Sequence, residues 1–468
     1  MKIDEHKTNI LNSERPASCG EPLWANQTFP DRIKPLRDQV PRKNGARKFI
    51  WAAGIENTFV PQVRNGGRPI DEFELMGHYK HWREDLSLGR ELGLQAMRWG
   101  APWYKLEPEP GKFDWSWTDK VLPFIVEELK INPIIDLMHY GTPFWLEREF
   151  ANRKYPEMVE RYAAAFVERY KGLVSWYTPL NEPIINSLMC GMRGLWPPYL
   201  KGDRGYIKIM LQLARGIIKT SNAIRSIQPD STLVFVEATG MTRTARKDLA
   251  ILAREEQHRG YLAYDLITGR ITDEHILFSW LVRNGVSPDD LDELCRNKID
   301  LDVIGMNFYP QWSTKLLYID KRGKLAFQET EPEGHGFKDM IRDYYDRYQV
   351  PIMITETSAV GSDEIRERWL ESSVSMIKDL RQSGVPVFGY TWFPLFTMID
   401  WRYRFSNEPL ENFYLELGLY RLNREKRGKR WLETPLVPKI KEYIANSAAA
   451  VGELRQPQPT ISDAPSAV

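Results

Sequence analysis

Residues 156–183 read PEMVERYAAAFVERYKGLVSWYTPLNEP. The first half places apolar residues at helical spacing with charges opposite them, the pattern of an amphipathic helix. After a short connection comes SWYTPLNE (175–182), an apolar and aromatic run of strand length that ends in a carboxylate, Glu182. One such unit proves little, and the tripeptide Asn-Glu-Pro proves less. Its meaning depends on whether the unit recurs.

It does. Apolar runs of the same kind occur as KFIWAAGI (48–55), LQAMRWG (94–100), NPIIDLMH (132–139), TLVFVEAT (232–239), IDLDVIGMNFY (299–309), VPIMITET (350–357) and VPVFGYTWF (385–393). Helical patterns lie between them, among them HYKHWREDLSLGREL (78–92) and EIRERWLESSVSMIKDLRQSG (364–384). Several runs are apolar at successive positions, as expected of parallel strands covered on both faces. Eight strand–helix alternations predict an α/β fold, a parallel (β/α)8 TIM barrel forming a single domain with elaborated βα loops. A doubly wound open sheet would want a glycine-rich phosphate turn, and neither GxGxxG nor GxxxxGK[ST] is present.

Composition narrows the function. A net charge of +1 on 468 residues gives no reason to expect nucleic acid or an anionic membrane as partner. Cys19, Cys190 and Cys295 are too few and too scattered for a disulfide framework or a zinc cluster, which suits a reducing compartment. No signal-like or membrane-spanning run is seen, so a cytoplasmic location is expected. Sixteen tryptophans suit either a large core or flat platforms for sugar rings, and composition does not choose between them. The expected organisation is an irregular N-terminal arm (1–45), the barrel (46–453) and a disordered Pro/Ser/Ala-rich tail (454–468). His78 and His81 share a helical face but lack accompanying acidic or Cys ligands, so they read as surface or interhelix residues, and no metal is expected.

In a (β/α)8 barrel, function gathers at the C-terminal ends of strands. Read there, the runs present Glu56 and Asn57, Arg98, His139, Asn181 and Glu182, Glu237, Asn307 and Tyr309, Glu356, and Trp392. Carboxylates ending apolar strands are costly to bury unless paired, and several together point to a site. Glu182 and Glu356 fall on the fourth and seventh strands, facing one another across the barrel. Two opposed carboxyl groups are what glycoside hydrolysis uses: one protonates the leaving oxygen, the other attacks or activates water. Arg98 and Tyr309 are placed to hold one carboxylate as an anion, and the paired charge would raise the pKa of the other. Glu237 reads rather as a structural hydrogen-bond partner, and Trp196 in LMCGMRGLWPPYL (188–200) as either a stacking platform or a loop anchor.

From about Phe49 to about Trp431 the chain resembles the family 1 glycoside hydrolases. MRWGAPWYKLEPEPG keeps Arg98, Trp103, Pro108 and Gly111 of the family's second-strand pattern. NPIIDLMHYGTPFWL keeps Pro133, His139, Pro143, Trp145 and Leu146 of the third. TPLNEP matches TxNEP, Asn307-Phe308-Tyr309 matches NYY, and Ile354-Thr355-Glu356-Thr357-Ser358 matches ITENG. The resemblance implies a retaining exo-acting β-glycosidase, β-glucosidase-like, working by double displacement on a small β-glycoside or short oligosaccharide without metal or organic cofactor. It implies Glu356 as nucleophile and Glu182 as acid/base, with Arg98 and Tyr309 supporting the chemistry. Asn181 would meet the sugar 2-hydroxyl and His139 the 3-hydroxyl, Trp392 would floor the pocket, and Asn307 would join the substrate-binding set. The alternatives are an endo-β-glycanase of the same clan and a non-hydrolytic glycan-binding or transglycosylating barrel.

The chain departs from the family where the sugar is read. Phe59 stands where a Gln grips two hydroxyls, leaving Glu56, Asn57 or Gln62 as replacements. The eighth-strand pattern becomes WFPLFTMIDW, offering Asp400 before Trp401 with one residue inserted. The family's His-Trp pair becomes His139-Tyr140. These changes predict a divergent member whose glycone is open.

Overall fold

The computed structural model describes residues 48–64, 67–329, 336–425 and 427–455. The expected N-terminal arm, and all of the expected tail beyond 455, lie outside the described residues.

Eight parallel strands close into a barrel: β1 (Ile50–Gly54), β2 (Ala96–Gly100), β3 (Asn132–Asp136), β4 (Trp176–Thr178), β5 (Thr232–Ala238), β6 (Val303–Phe308), β7 (Ile352–Thr357) and β8 (Val387–Trp392). Neighbours follow chain order, and β8 pairs back onto β1 through Ile50–Gly389 and Ala53–Trp392. Each of the eight apolar runs contains one of these strands. Helices cover the outside, including α1 (His78–Leu92), α2 (Tyr155–Tyr170), α3 (Gly202–Ile227), α4 (Phe337–Tyr348) and α5 (Asp363–Gln382). α1 stops because Gly93 adopts a left-handed conformation, φ 82°, where glycine carries no steric cost, and the chain turns directly into the β2 run.

Alternation along the strands separates two apolar layers. Ile50, Ala52, Ala96, Ile134, Trp176, Val234, Val236, Val303, Met353 and Phe388 fill the barrel interior. Their neighbours Trp51, Ala53, Met97, Ile135, Ile304 and Ile354 join the larger core between strands and helices. Because side chains on one face repeat every second residue, the next inward positions after Ala96, Ile134 and Met353 are Arg98, Asp136 and Thr355. The apolar plug of the barrel thus gives way, toward the C-terminal mouth, to a buried polar layer.

Several expected strand ends prove shorter than the apolar runs suggest. β3 stops at Asp136 and β4 at Thr178, so His139, Asn181 and Glu182 sit on the loops just above. The ladder continues there only as single contacts, Asn181 N–H to the Met138 carbonyl at 2.9 Å and Glu182 N–H to the Val236 carbonyl at 3.1 Å. A three-stranded sheet (Met241–Arg243, Thr314–Ile319, Leu325–Glu329) is built from the loops after β5 and β6. His78 is buried, with Nδ1 2.8 Å from Asp85 and Nε2 accepting from the Trp99 indole at 3.2 Å, so it ties α1 to β2. Cys190 is a buried free thiol. No helix among the described residues is long and apolar enough to cross a membrane.

Candidate active site

A cavity of about 610 Å³ opens at the C-terminal mouth of the barrel and is lined by Glu56, His139, Tyr140, Glu182, Asn307, Tyr309, Glu356, Asp400 and Trp401, among others. Arg98, Asn57, Asn181 and Trp392 are not part of that lining; all four are buried behind it. The rest of the lining mixes apolar side chains, among them Ile184, Leu188, Met192, Met241, Trp312 and Phe327, with the charged Arg193, Glu256, Arg259 and Lys315.

Glu356 owes its direction to a break in the strand. Met353 and Thr355 point inward, so simple alternation would send the next side chain out. The β6–β7 register shifts between Ile354 and Glu356, leaving Glu356 opposite Asn307. Such an irregularity re-aims a side chain at a barrel rim. Glu356 then receives Arg98 Nη1 on Oε1 at 2.6 Å and the Tyr309 phenol on Oε2 at 2.8 Å.

Glu182 is aimed by a different device. Its backbone is left-handed, φ 46°, a conformation that costs a non-glycine residue on the order of 1 kcal/mol. It is held by the backbone contacts to Val236 and by the short helix Pro183–Asn186 that follows. The Glu237 carboxylate accepts from the N–H of Ile184 (3.2 Å) and of Ala238 (2.8 Å), which pins the start of that helix. Glu237 therefore has the structural role its position suggested. The Glu182 carboxylate accepts the Asn307 amide at 2.8 Å on Oε1 and the Tyr140 phenol on Oε2.

The remaining polar groups join these two carboxylates into one network. Asn181 Oδ1 accepts from Arg98 Nη2 (3.0 Å) and Asn307 (3.3 Å), which fixes its amide orientation. Asn181 Nδ2 therefore donates to the Tyr140 oxygen (3.2 Å) and His139 Nε2 (3.1 Å). With Nε2 accepting, His139 carries its proton on Nδ1 and donates it to Asp136 Oδ2 at 3.2 Å. The same Asp136 oxygen accepts from Arg98 Nη2 at 2.7 Å and from Asn57 Nδ2 at 3.4 Å. Asn57 fits there because residue 100 is glycine: a Cβ on Gly100 would lie 2.0 Å from Asn57 Nδ2.

Electrostatics follow from burial and pairing. Burial works against the Asp136 charge, yet Arg98 and then His139 hold its carboxyl down to about 2. Burial pushes Glu356 up to about 7, with Arg98 opposing and Glu182 adding to the rise. Burial also raises Glu182, opposed by its hydrogen bonds from Tyr140 and Asn307. The sequence led us to expect the paired charge to lift one carboxyl while the other stayed a settled anion. Instead burial is the leading cause for both, and Glu356 titrates near neutrality despite its guanidinium. Burial keeps Tyr140 and Tyr309 protonated, as donors, far above neutral pH.

The sugar-reading candidates are scattered. Glu56 faces the cavity, its Oε1 held by Thr58 N–H (3.0 Å) and Oγ (2.7 Å) and 4.0 Å from His139 Nε2. Asn57 lies behind Asp136, and the Gln62 amide is spent on the Thr142 hydroxyl at 3.2 Å and the Thr142 carbonyl. Phe59 packs against Phe73, ring centroids 5.1 Å apart. Asp400 accepts from Arg402 N–H at 2.8 Å, starting the turn Trp401–Phe405. Trp392 is wholly buried, its indole N–H given to the Leu417 carbonyl at 3.0 Å. Trp196 is likewise buried, stacked edge-on against Trp401 at 5.0 Å and tilted on Tyr140 at 5.0 Å, so it backs the cavity wall. Asp136 and the Tyr140–Glu182 contact are absent from the sequence reading. The signal for Asp136 was an ionisable residue inside an apolar run.

A (β/α)8 barrel with two opposed carboxylates in a buried donor network is the frame of a glycoside hydrolase. Residues 67–316 match the model of Glycosyl hydrolase family 1, and the chain belongs to that family. It is 23% identical over 418 residues to a 1,4-beta-D-glucan glucohydrolase of Thermotoga neapolitana, covering 82% of this chain and 94% of that one. It is 24% identical over 363 residues to an aryl-phospho-beta-D-glucosidase of Bacillus subtilis, covering 68% of this chain and 76% of that one. Its fold is that of the beta-glucosidase of Thermotoga maritima in complex with deoxynojirimycin: TM-score 0.73 at 19% identity, over 87% of this chain and 99% of that one.

Proposed function

We propose that the protein is a retaining, exo-acting β-glycosidase of small, unphosphorylated β-glycosides, with Glu356 as nucleophile and Glu182 as acid/base. The observation that carries this division is the unequal company of the two carboxylates. Glu356 takes a guanidinium and a phenol, Glu182 only neutral donors. A charged donor favours the anion that must attack; neutral donors leave the other group free to cycle its proton.

In the first step the ionised Glu356 attacks the anomeric carbon as the bond to the leaving oxygen breaks, and Glu182 gives its proton to that oxygen. Arg98 and Tyr309 hold the attacking carboxylate in place. Esterification removes the charge of Glu356, so the pKa of Glu182 falls and it becomes the base that activates water for the second step. His139 lines the cavity and would meet a sugar hydroxyl, Asn181 orders His139 from behind the lining, and Asn307 steadies Glu182.

The apolar side chains of Ile184, Leu188, Met192, Trp312 and Phe327 suit an aryl or alkyl aglycone. Glu56 presents a carboxylate to the cavity that favours hydroxyl donors over a phosphate dianion, while Asp400 is paired with Arg402 at 2.7 Å. The test is a panel of nitrophenyl β-glycosides with and without 6-phosphate, wild type beside Glu356→Ala. Release of nitrophenol from one or more unphosphorylated sugars, lost in the variant, is expected. Turnover of 6-phosphates alone contradicts the glycone assignment, and silence across the panel contradicts the hydrolytic one.

A further inference from the structure

The largest charge in the network that the mechanism above leaves unused is Asp136. It is wholly buried at the inward end of β3, one strand over from Arg98 and well below the cavity surface. We propose that Asp136 is a positioning residue of the reaction, dividing the charge of Arg98 with Glu356 and fixing His139 as the Nδ1–H tautomer. This rests on the reading of Glu356 as the attacking group.

The geometry divides the guanidinium cleanly. Nη1 serves Glu356 Oε1 (2.6 Å) and the Thr355 carbonyl (3.1 Å); Nη2 serves Asp136 Oδ2 (2.7 Å) and Asn181 Oδ1 (3.0 Å). Two buried carboxylates therefore share one cation, and the trio carries a net negative charge when all are ionised. The other groups facing Glu356 are Glu182 above β4, Glu56 above β1, His139 above β3 and the neutral Tyr309 above β6. Of these only a protonated His139 would add positive charge, and its Nε2 is already an acceptor for Asn181.

Two consequences follow. A carboxylate granted the whole of a buried arginine would be a strongly stabilised anion and a sluggish nucleophile; one granted half stays basic. Second, the Asp136 oxygen that holds Arg98 also receives the His139 Nδ1 proton, so the imidazole presents Nε2 as an acceptor toward Asn181 and the cavity. Among the described residues Asp136 Oδ1 has no hydrogen-bond partner, so a single oxygen carries all these contacts.

The direct test reads the Glu356 carboxyl rather than turnover. In protein labelled with ¹³C at glutamate carboxyls, the Glu356 resonance is assigned by its loss in Glu356→Gln. Its titration midpoint is then followed in wild type and in Asp136→Asn, which keeps the shape and the acceptor. The midpoint is expected to fall by about one pH unit or more in the variant, because Arg98 is then left to Glu356. In active protein the acid limb of kcat/KM falls with it. An unchanged midpoint overturns the proposal. Should Asp136→Asn fail to fold, the wild-type ¹⁵N spectrum of His139 decides: an Nδ1–H tautomer above pH 8 supports it and an Nε2–H tautomer overturns it. A shifted Glu356 midpoint in a protein that hydrolyses no glycoside would overturn the hydrolase reading while leaving the division of the Arg98 charge standing.

Discussion

The phenol of Tyr140 donates its proton to Glu182, and the Tyr140 oxygen in turn accepts from Asn181. That bond favours the carboxylate form of Glu182, the form needed as base in the second step. Tyr140→Phe removes the hydroxyl and little else. A hydrogen bond to a charged group is worth about 1.5–3 kcal/mol, so the Glu182 pKa is expected to rise by about one unit or more. The alkaline limb of kcat/KM moves upward with it. Breakdown of the glycosyl-enzyme slows, seen as a larger burst of nitrophenol from an activated substrate. A variant with the wild-type alkaline limb and burst would remove Tyr140 from the account.

The acid side reports Glu356. With its carboxyl pushed up to about 7 in the free protein, protonation disables the attacking group as pH falls. The rate kcat/KM is expected to drop tenfold for each unit below that point. A profile flat down to pH 5 would mean that Arg98 and Tyr309 hold the anion far more strongly than burial opposes it.

Glu182→Ala tests the proton donor through the leaving group. General acid catalysis contributes roughly 10²- to 10⁴-fold, so alkyl glycosides should lose about that much. Dinitrophenyl glycosides, whose leaving group needs no proton, should keep most of their rate of glycosylation. Equal losses on both substrates would count against Glu182 as the acid.

Glu237 separates support from chemistry. Its carboxylate pins the Ile184 N–H beside the left-handed Glu182, so Glu237→Ala leaves that partly buried donor, and the Ala238 N–H, without their acceptor. A loss of about 1–3 kcal/mol in stability is expected, read as a lower midpoint of denaturant unfolding, together with reduced kcat. Burial and the nearby Glu182 hold the Glu237 carboxyl well above its ordinary range. A folded pKa above the unfolded one makes its contribution to stability greatest at low pH and lost as pH rises. Glu237→Gln, which keeps the acceptor without the charge, should therefore unfold no more easily than wild type at pH 8.

The barrel was legible because strands covered on both faces read as unbroken apolar runs, and each of the runs chosen holds a strand. The ends were less legible. The apolar character of IIDLMH and SWYTPLNE continues beyond the last ladder bond, so residues read as strand termini, His139 and Glu182 among them, stand on loops. Glu182, Glu356, Arg98 and Tyr309 could be singled out because strand order alone brings them to one mouth. Asp136 could not, since its importance lies in sharing a guanidinium with Glu356, a partner 220 residues away in the chain. The small sheet formed by Met241–Arg243, Thr314–Ile319 and Leu325–Glu329 carries no period that separates it from loop. The substitutes for the family's Gln stayed undecided because Glu56, Asn57 and Gln62 differ only in where their side chains are held. Glu56 reaches the cavity; Asn57 and Gln62 are spent elsewhere.

The central claim is that Glu356 becomes covalently attached to the sugar. Incubation with a 2-deoxy-2-fluoro-β-glycoside bearing a dinitrophenyl leaving group, followed by peptide mass mapping, tests it most directly. The account expects inactivation with one fluoroglycosyl group carried by Glu356, and none in Glu356→Gln. A label on another carboxylate, or continued hydrolysis with inverted configuration and no label, would contradict it.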